Sequence, residues 1–159
     1  MREIPLCAVS DRDLRQVVAD VLEQMAFVFV DDATSSAAEV LAEAAARARL
    51  PLEGAADAAV LVAATAGLVR EVASGMTGCE LAEVDAEAYG PAVVAELANV
   101  FGGEWVLRRA GSGGDGKVGL PRALCAAEAS ALLQRAQERG AVVALESELG
   151  ALVVSLDAG

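Results

Sequence analysis

From Val40 to Leu50 every second residue is apolar: Val40, Ala42, Ala44, Ala46, Ala48 and Leu50, with Glu43, Arg47 and Arg49 on the alternate side. Side chains alternate across a strand with a period of two. The spacing therefore predicts a half-buried strand over Val40–Leu52, although so much alanine would also suit a helix. Glu53-Gly54 with Asp57 makes a turn, and the unbroken apolar run Ala58–Ala64 predicts the second arm of a hairpin. The chain ends on the same pattern. Ala141–Ser147 and Ala151–Leu156 read as strands joined through Glu148-Leu149-Gly150.

Helical segments alternate with these hairpins. Ser10, with Asp13 three residues on, resembles a capping box and opens an apolar stripe of Leu14, Val17, Val18, Val21, Leu22 and Met25. This predicts a helix over Asp11–Met25, followed by a strand in Ala26–Val30 (AFVFV) and a loop in the polar stretch Asp31–Ala38. Thr65 is a candidate cap for a helix reaching Met76, which Gly78 ends. Glu104–Arg109 (EWVLRR) reads as a strand, Ala110–Lys117 as a loop, Val118–Leu120 as a short strand stopped by Pro121, and Glu128–Arg139 as a helix closed by Gly140. The glycine-rich AGSGGDGK is no phosphate-binding loop, because Val118 follows Lys117 and no helix begins there. Residues 1–159 are expected to form one domain with an internal repeat, about 10–78 and 85–157. Each half holds a capped amphipathic helix, a short strand and later a hairpin. The expected class is α+β: two similar α/β halves sharing one mostly antiparallel sheet, with the long helices on one face.

The segment Asp85–Gly103 (DAEAYGPAVVAELANVFGG) carries the candidate chemistry. Asp85 is the expected N-cap, Pro91 fits only near a helix start, and Gly102-Gly103 is the expected stop. Val93, Val94, Leu97, Ala98, Val100 and Phe101 make an apolar stripe, while Ala92, Ala95, Glu96, Asn99 and Gly103 fall on the other side. Glu96 and Asn99, three apart, are neighbours at about 5–6 Å between Cβ atoms. An ionised Glu only accepts hydrogen bonds, whereas Asn donates and accepts. An amide can hold a water in line with a phosphorus atom, as an amide side chain does in GTPases. Glu96 is better suited to gripping a cation, such as a lysine of a protein substrate. The small residues around the pair would let a partner's backbone come close. Aligning the first long helix with this one puts Glu23 opposite Glu96 and Ala26 opposite Asn99, so the first copy keeps the acid and lacks the amide. Tyr89 and Trp105 are read as packing residues.

Composition removes other chemistries. There is no histidine, which excludes Ser-His-Asp and Cys-His catalysis and most zinc sites. Cys7, Cys79 and Cys125 lie far apart and read as small buried hydrophobes in a reducing compartment. A formal charge of −12 disfavours nucleic acid and anionic membrane surfaces as partners. No stretch approaches the roughly 18 apolar residues of a membrane span, and MREIPLCAVS has no long apolar run, so neither a membrane span nor a signal peptide is expected and the expected location is the cytoplasm.

With Glu96, Asn99 and Gly102-Gly103 in place, the chain resembles the CheC/CheX chemotaxis phosphatases, which remove phosphate from the aspartyl phosphate of the response regulator CheY. The family motif is Asp or Ser, three residues, Glu, two residues, Asn, with a proline about two dozen residues later; Pro121 falls one residue short of that spacing. The resemblance covers most of the chain, including the paired halves and the closing hairpin. It implies a protein aspartyl-phosphate phosphatase in which Asn99 orients the hydrolytic water and Glu96 pairs with the regulator's active-site lysine, with Ala92, Ala95 and Gly103 in the partner-binding face. It implies no metal or cofactor of the chain's own, Mg²⁺ being carried by the phosphorylated CheY-like regulator. One intact motif favours the CheX type, which is a homodimer. Ala92 stands where the family has Asp or Ser. The alternatives are a non-catalytic relative that binds a regulator or sits in a flagellar switch or signalling assembly, and a structural dimer without partner specificity.

Overall fold

The computed structural model describes residues 10–52, 58–110 and 118–157. Its elements, in order, are α1 (Asp11–Ala26), β1 (Asp31–Asp32), α2 (Ala37–Glu43), β2 (Ala46–Pro51), β3 (Ala59–Ala64), α3 (Ala66–Thr77), a 3₁₀ turn (Leu81–Glu83), α4 (Ala86–Ala110), β4 (Arg122–Ala123), α5 (Ala126–Arg139), β5 (Gly140–Glu146) and β6 (Ala151–Asp157). The strands form one antiparallel sheet in the order β1-β5-β6-β3-β2-β4. Both expected hairpins are present. Ala46 pairs with Ala64 through to Pro51 with Ala59, and Gly140 pairs with Asp157 through to Glu146 with Ala151.

Alternation along the strands divides the core into two layers. Ala48, Leu50, Val60, Val62, Val143, Leu145, Val154 and Leu156 face the stripes of α1, α3 and α4, so the two longest helices share one face. Leu61, Ala63 and Val153 face the other way, onto Val40 and Leu41 of α2, Leu124 just before α5, and Ala129 and Leu133 of α5. The sheet is therefore covered on both sides, which accounts for the fully buried β3.

Caps set the helix ends. The Ser10 hydroxyl accepts from the Asp13 N–H at 3.1 Å, and Gly78 closes α3 in the left-handed conformation at φ 78°. Thr65 occupies the N-cap of α3, but its hydroxyl accepts instead from Ala151 N–H at 2.9 Å, tying the helix start to β6.

Several expectations need correction. The AFVFV strand does not form: Ala26 is the last residue of α1, and Phe27 turns left-handed at φ 56° to close it. Burial alternates over Phe27–Val30, yet that stretch joins no ladder, and pairing begins at Asp31. Residues 37–43 are helical, so the strand expected from Val40 starts only at Ala46. Ser36 and Glu39 form a reciprocal capping box there, each bond at 3.2 Å, inside what reads as a loop. α5 begins at Ala126, two residues before the expected start, capped by Cys125. Val118 makes only an isolated bridge to Leu52. Cys79 and Cys125 are exposed rather than buried. Cys7, the 53–57 turn and most of the 110–117 loop lie outside the described residues.

Two positions give stability predictions. A Cβ at Gly75 of α3 would collide with the Ala26 carbonyl, where α1 and α3 touch. Overpacking against backbone costs about 1–3 kcal/mol, so Gly75→Ala is expected to lower the urea midpoint despite alanine's better helix propensity. An unchanged midpoint would contradict this packing. Phe27 is 76% exposed, and a left-handed residue with a Cβ costs roughly 1–2 kcal/mol. Phe27→Gly is therefore expected to stabilise by about 0.5–1 kcal/mol in the same assay, after glycine's entropic cost.

Candidate functional site

The candidate residues lie on α4. The Asp85 carboxylate caps the helix, accepting from the N–H of Glu87 at 3.0 Å and of Ala88 at 3.4 Å. Pro91 sits inside the helix at its sixth residue rather than at its start, on the exposed side, where the carbonyl it leaves unpaired can reach water. Gly102-Gly103 does not stop the helix, and EWVLRR continues it rather than forming a strand. The cause is tertiary. Trp105, four residues beyond Phe101, extends the buried stripe, and both are almost fully covered. Burying a large aromatic outweighs about 1 kcal/mol of lost propensity per glycine. Gly102 faces the sheet, where a Cβ would press into the Leu50 side chain, so its bareness lets α4 lie close on β2.

Val93, Val94, Leu97, Ala98, Phe101 and Trp105 are buried against the sheet and neighbouring helices. On the opposite side Ala92, Glu96 and Asn99 are exposed, and Ala95 and Gly103 are half-covered. A side chain on Gly103 would meet nothing within 4 Å. Neither the Glu96 carboxylate nor the Asn99 amide bonds to any other described residue, so both are free for a partner. In α1, Glu23 is exposed, but Ala26 is buried beside Gly75.

Two further residues belong to this ridge. Tyr89 and Leu107 are 46% and 62% exposed, and helical spacing places them in line with Ala92, Glu96, Asn99 and Gly103. Tyr89 is thus a surface residue, not a packing one, whereas Trp105 is core. Leu107 was hidden by reading its segment as a strand; the 3–4 spacing from Asn99 through Gly103 is the signal that finds it. At 1.5 Å per residue the ridge from Tyr89 to Leu107 is about 27 Å long, close to the width of a small domain. Arg108 does not offer its charge to the ridge: it pairs with Glu104 and with Asp20 of α1, each at 3.1 Å, and braces α4 against α1.

Among the described residues, no helix is long and apolar enough to cross a membrane, and no group of three or more Cys, Asp or Glu is arranged to hold a metal ion. No family model matches the chain, and no curated protein matches it in sequence. Solved structures do match. The chemotaxis protein CheX from Vibrio vulnificus superposes with a TM-score of 0.62 at 17% identity, covering 91% of this chain and 95% of that one. CheX in a CheX–CheY–BeF3–Mg²⁺ complex from Borrelia burgdorferi gives 0.61 at 12% identity, covering 98% of each chain. A CheC-like superfamily protein from Shewanella sp. PV-4 gives 0.60 at 15% identity, covering 91% and 94%. The chain has the fold of the CheX and CheC-like chemotaxis proteins.

Proposed function

We propose that this protein is a CheX-like phosphatase that hydrolyses the aspartyl phosphate of a CheY-type response regulator. The observation that carries the reading is the exposed, unpartnered pair Glu96 and Asn99, side by side on a ridge of small residues and backed by a packed core. A CheX of this fold has been solved in complex with CheY, which supports a regulator as the partner.

In this reading the bare surface at Ala92, Ala95 and Gly103 lets the ridge enter the regulator's active site. Glu96 pairs with a lysine there, fixing the register. The Asn99 amide oxygen accepts a hydrogen bond from a water and directs the water's oxygen at phosphorus, opposite the aspartyl oxygen. Attack forms the new P–O bond as the bond to aspartate breaks, leaving inorganic phosphate and a free carboxylate. Positioning of this kind is the main protein contribution to phosphoryl transfer. Mg²⁺ belongs to the regulator, and this chain supplies no metal ligand of its own.

The internal repeat and the homodimer are part of the same reading. The succession α-β-α-β-β occurs in 10–78 and again in 85–157, and the strand order maps onto itself when β1–β3 are exchanged with β4–β6. Buried Ala26 leaves the first half without an amide, giving one site per chain.

Phosphate release from a panel of acetyl-phosphate-labelled regulators, with and without the protein, tests the proposal. Acceleration of at least one regulator is expected; none in the panel would overturn it. Exposed Ala92, which offers only a methyl group where the family has Asp or Ser, favours a second reading, a module that binds a phosphorylated regulator without hydrolysing it. Binding without faster release would select that one.

A further inference from the structure

Away from the α4 ridge, the sheet carries a concentration of positive charge that the phosphatase reading does not use. β2 pairs with β4 so that Arg49 stands directly opposite Arg122. Directly opposed residues share a face with Cβ atoms about 4.5–5.5 Å apart, and like charges so placed repel. Arg135 of α5 faces the same open groove, which has a volume of about 210 Å³ and is lined also by Leu124, Leu132 and one carboxylate, that of Glu128.

The countercharges fall short. Arg122 pairs with Glu128 at 3.1 Å, but that carboxylate also accepts from the Cys125 N–H at 3.3 Å to cap α5. Arg135 pairs with Asp157 at 3.3 Å, and Asp157 is shared with Arg139 at 3.0 Å. Arg49 makes no ion pair with any described residue. The groove's lining thus carries three guanidiniums, those of Arg49, Arg122 and Arg135, against one carboxylate, that of Glu128, in a chain with only 12 basic residues and a net charge of −12. The Debye length is about 8 Å at physiological salt, so distant acidic residues do little to cancel this local excess.

We propose that this groove is a binding site for a small phosphate monoester, its dianionic head held among Arg49, Arg122 and Arg135 and its apolar body against Leu124 and Leu132. The planar guanidinium fork matches phosphate oxygens two at a time, and a dianion balances the excess of two charges. Binding also removes the Arg49–Arg122 repulsion, so the ligand acts as the missing countercharge.

The probes are phenyl phosphate, inorganic phosphate and sodium chloride at matched ionic strength, read by thermal unfolding and titration calorimetry. Phenyl phosphate is expected to bind saturably and to raise the melting temperature more than inorganic phosphate does. Arg49→Gln is expected to melt higher than the native protein in ligand-free buffer, because the opposed charges are gone, and to bind phenyl phosphate at least tenfold more weakly. Arg70→Gln, which removes an exposed charge on α3, is expected to leave the response intact. A shift that sodium chloride reproduces, one retained in Arg49→Gln, or no response to phenyl phosphate overturns the proposal. Equal responses to the two phosphates overturn the apolar contact. None of these readouts depends on a response regulator.

Discussion

Replacing Asn99 with alanine is expected to remove regulator dephosphorylation while leaving the protein folded. The amide is exposed and hydrogen-bonds to no other described residue, so its loss costs the core little, and surface changes of this sort usually stay within about 0.5 kcal/mol. Its proposed role is geometric, and an attacking group misplaced by 1 Å can cost on the order of 10²-fold. The expected result is therefore a fall of about 10²-fold or more in stimulated phosphate release, with unchanged melting temperature and nearly unchanged affinity for the phosphorylated regulator. Asn99→Asp is expected to fall as far, because a carboxylate brought up to the phosphoryl oxygens would repel them. Full activity in Asn99→Ala would remove the amide from the mechanism.

Glu96→Ala is expected to act on binding instead. A hydrogen bond to a charged group contributes about 1.5–3 kcal/mol, so losing the contact to a regulator lysine should weaken association by roughly ten- to a hundredfold. The turnover rate at saturating regulator should fall much less than in Asn99→Ala. Because the lost contact is an ion pair, the variant's affinity should also depend less on salt. Comparing the two variants at saturating and sub-saturating regulator separates anchoring from chemistry. If Glu96→Ala binds as tightly as the native protein, the acid has no part in docking.

Much of this was legible from periodicity. The stripe of α1, the two hairpins and the opposed faces of α4 all follow from which positions must be apolar. Where alanine carried the pattern, the reading failed, since alanine favours a helix and is tolerated on its exposed side, where Ala42 lies on α2. The capping box at Ser36 and Glu39 was the better local signal, and adjacent Val40 and Leu41 both find cover under α5. Glycine misled for the opposite reason. Gly102-Gly103 has the composition of a helix end, but the core partner that carries the helix onward, Trp105, lies beyond it. Phe27–Val30 has strand composition without a strand to pair with, which no local rule reveals. The Glu96 and Asn99 juxtaposition needed only spacing within one element. The Arg49, Arg122 and Arg135 groove joins three elements far apart in sequence and could not be seen before the strand order was known.

The split of α4 into a buried stripe and an open ridge also bears on how such a surface evolves. Mutations on the solvent side need not be compensated inside, so residues there can change while the scaffold persists. A methyl group at position 92, where the related motif has a polar side chain, is the kind of change this arrangement tolerates at little cost to the fold. On the proposed reading, a change of partner at this surface would leave the packed side of α4 untouched.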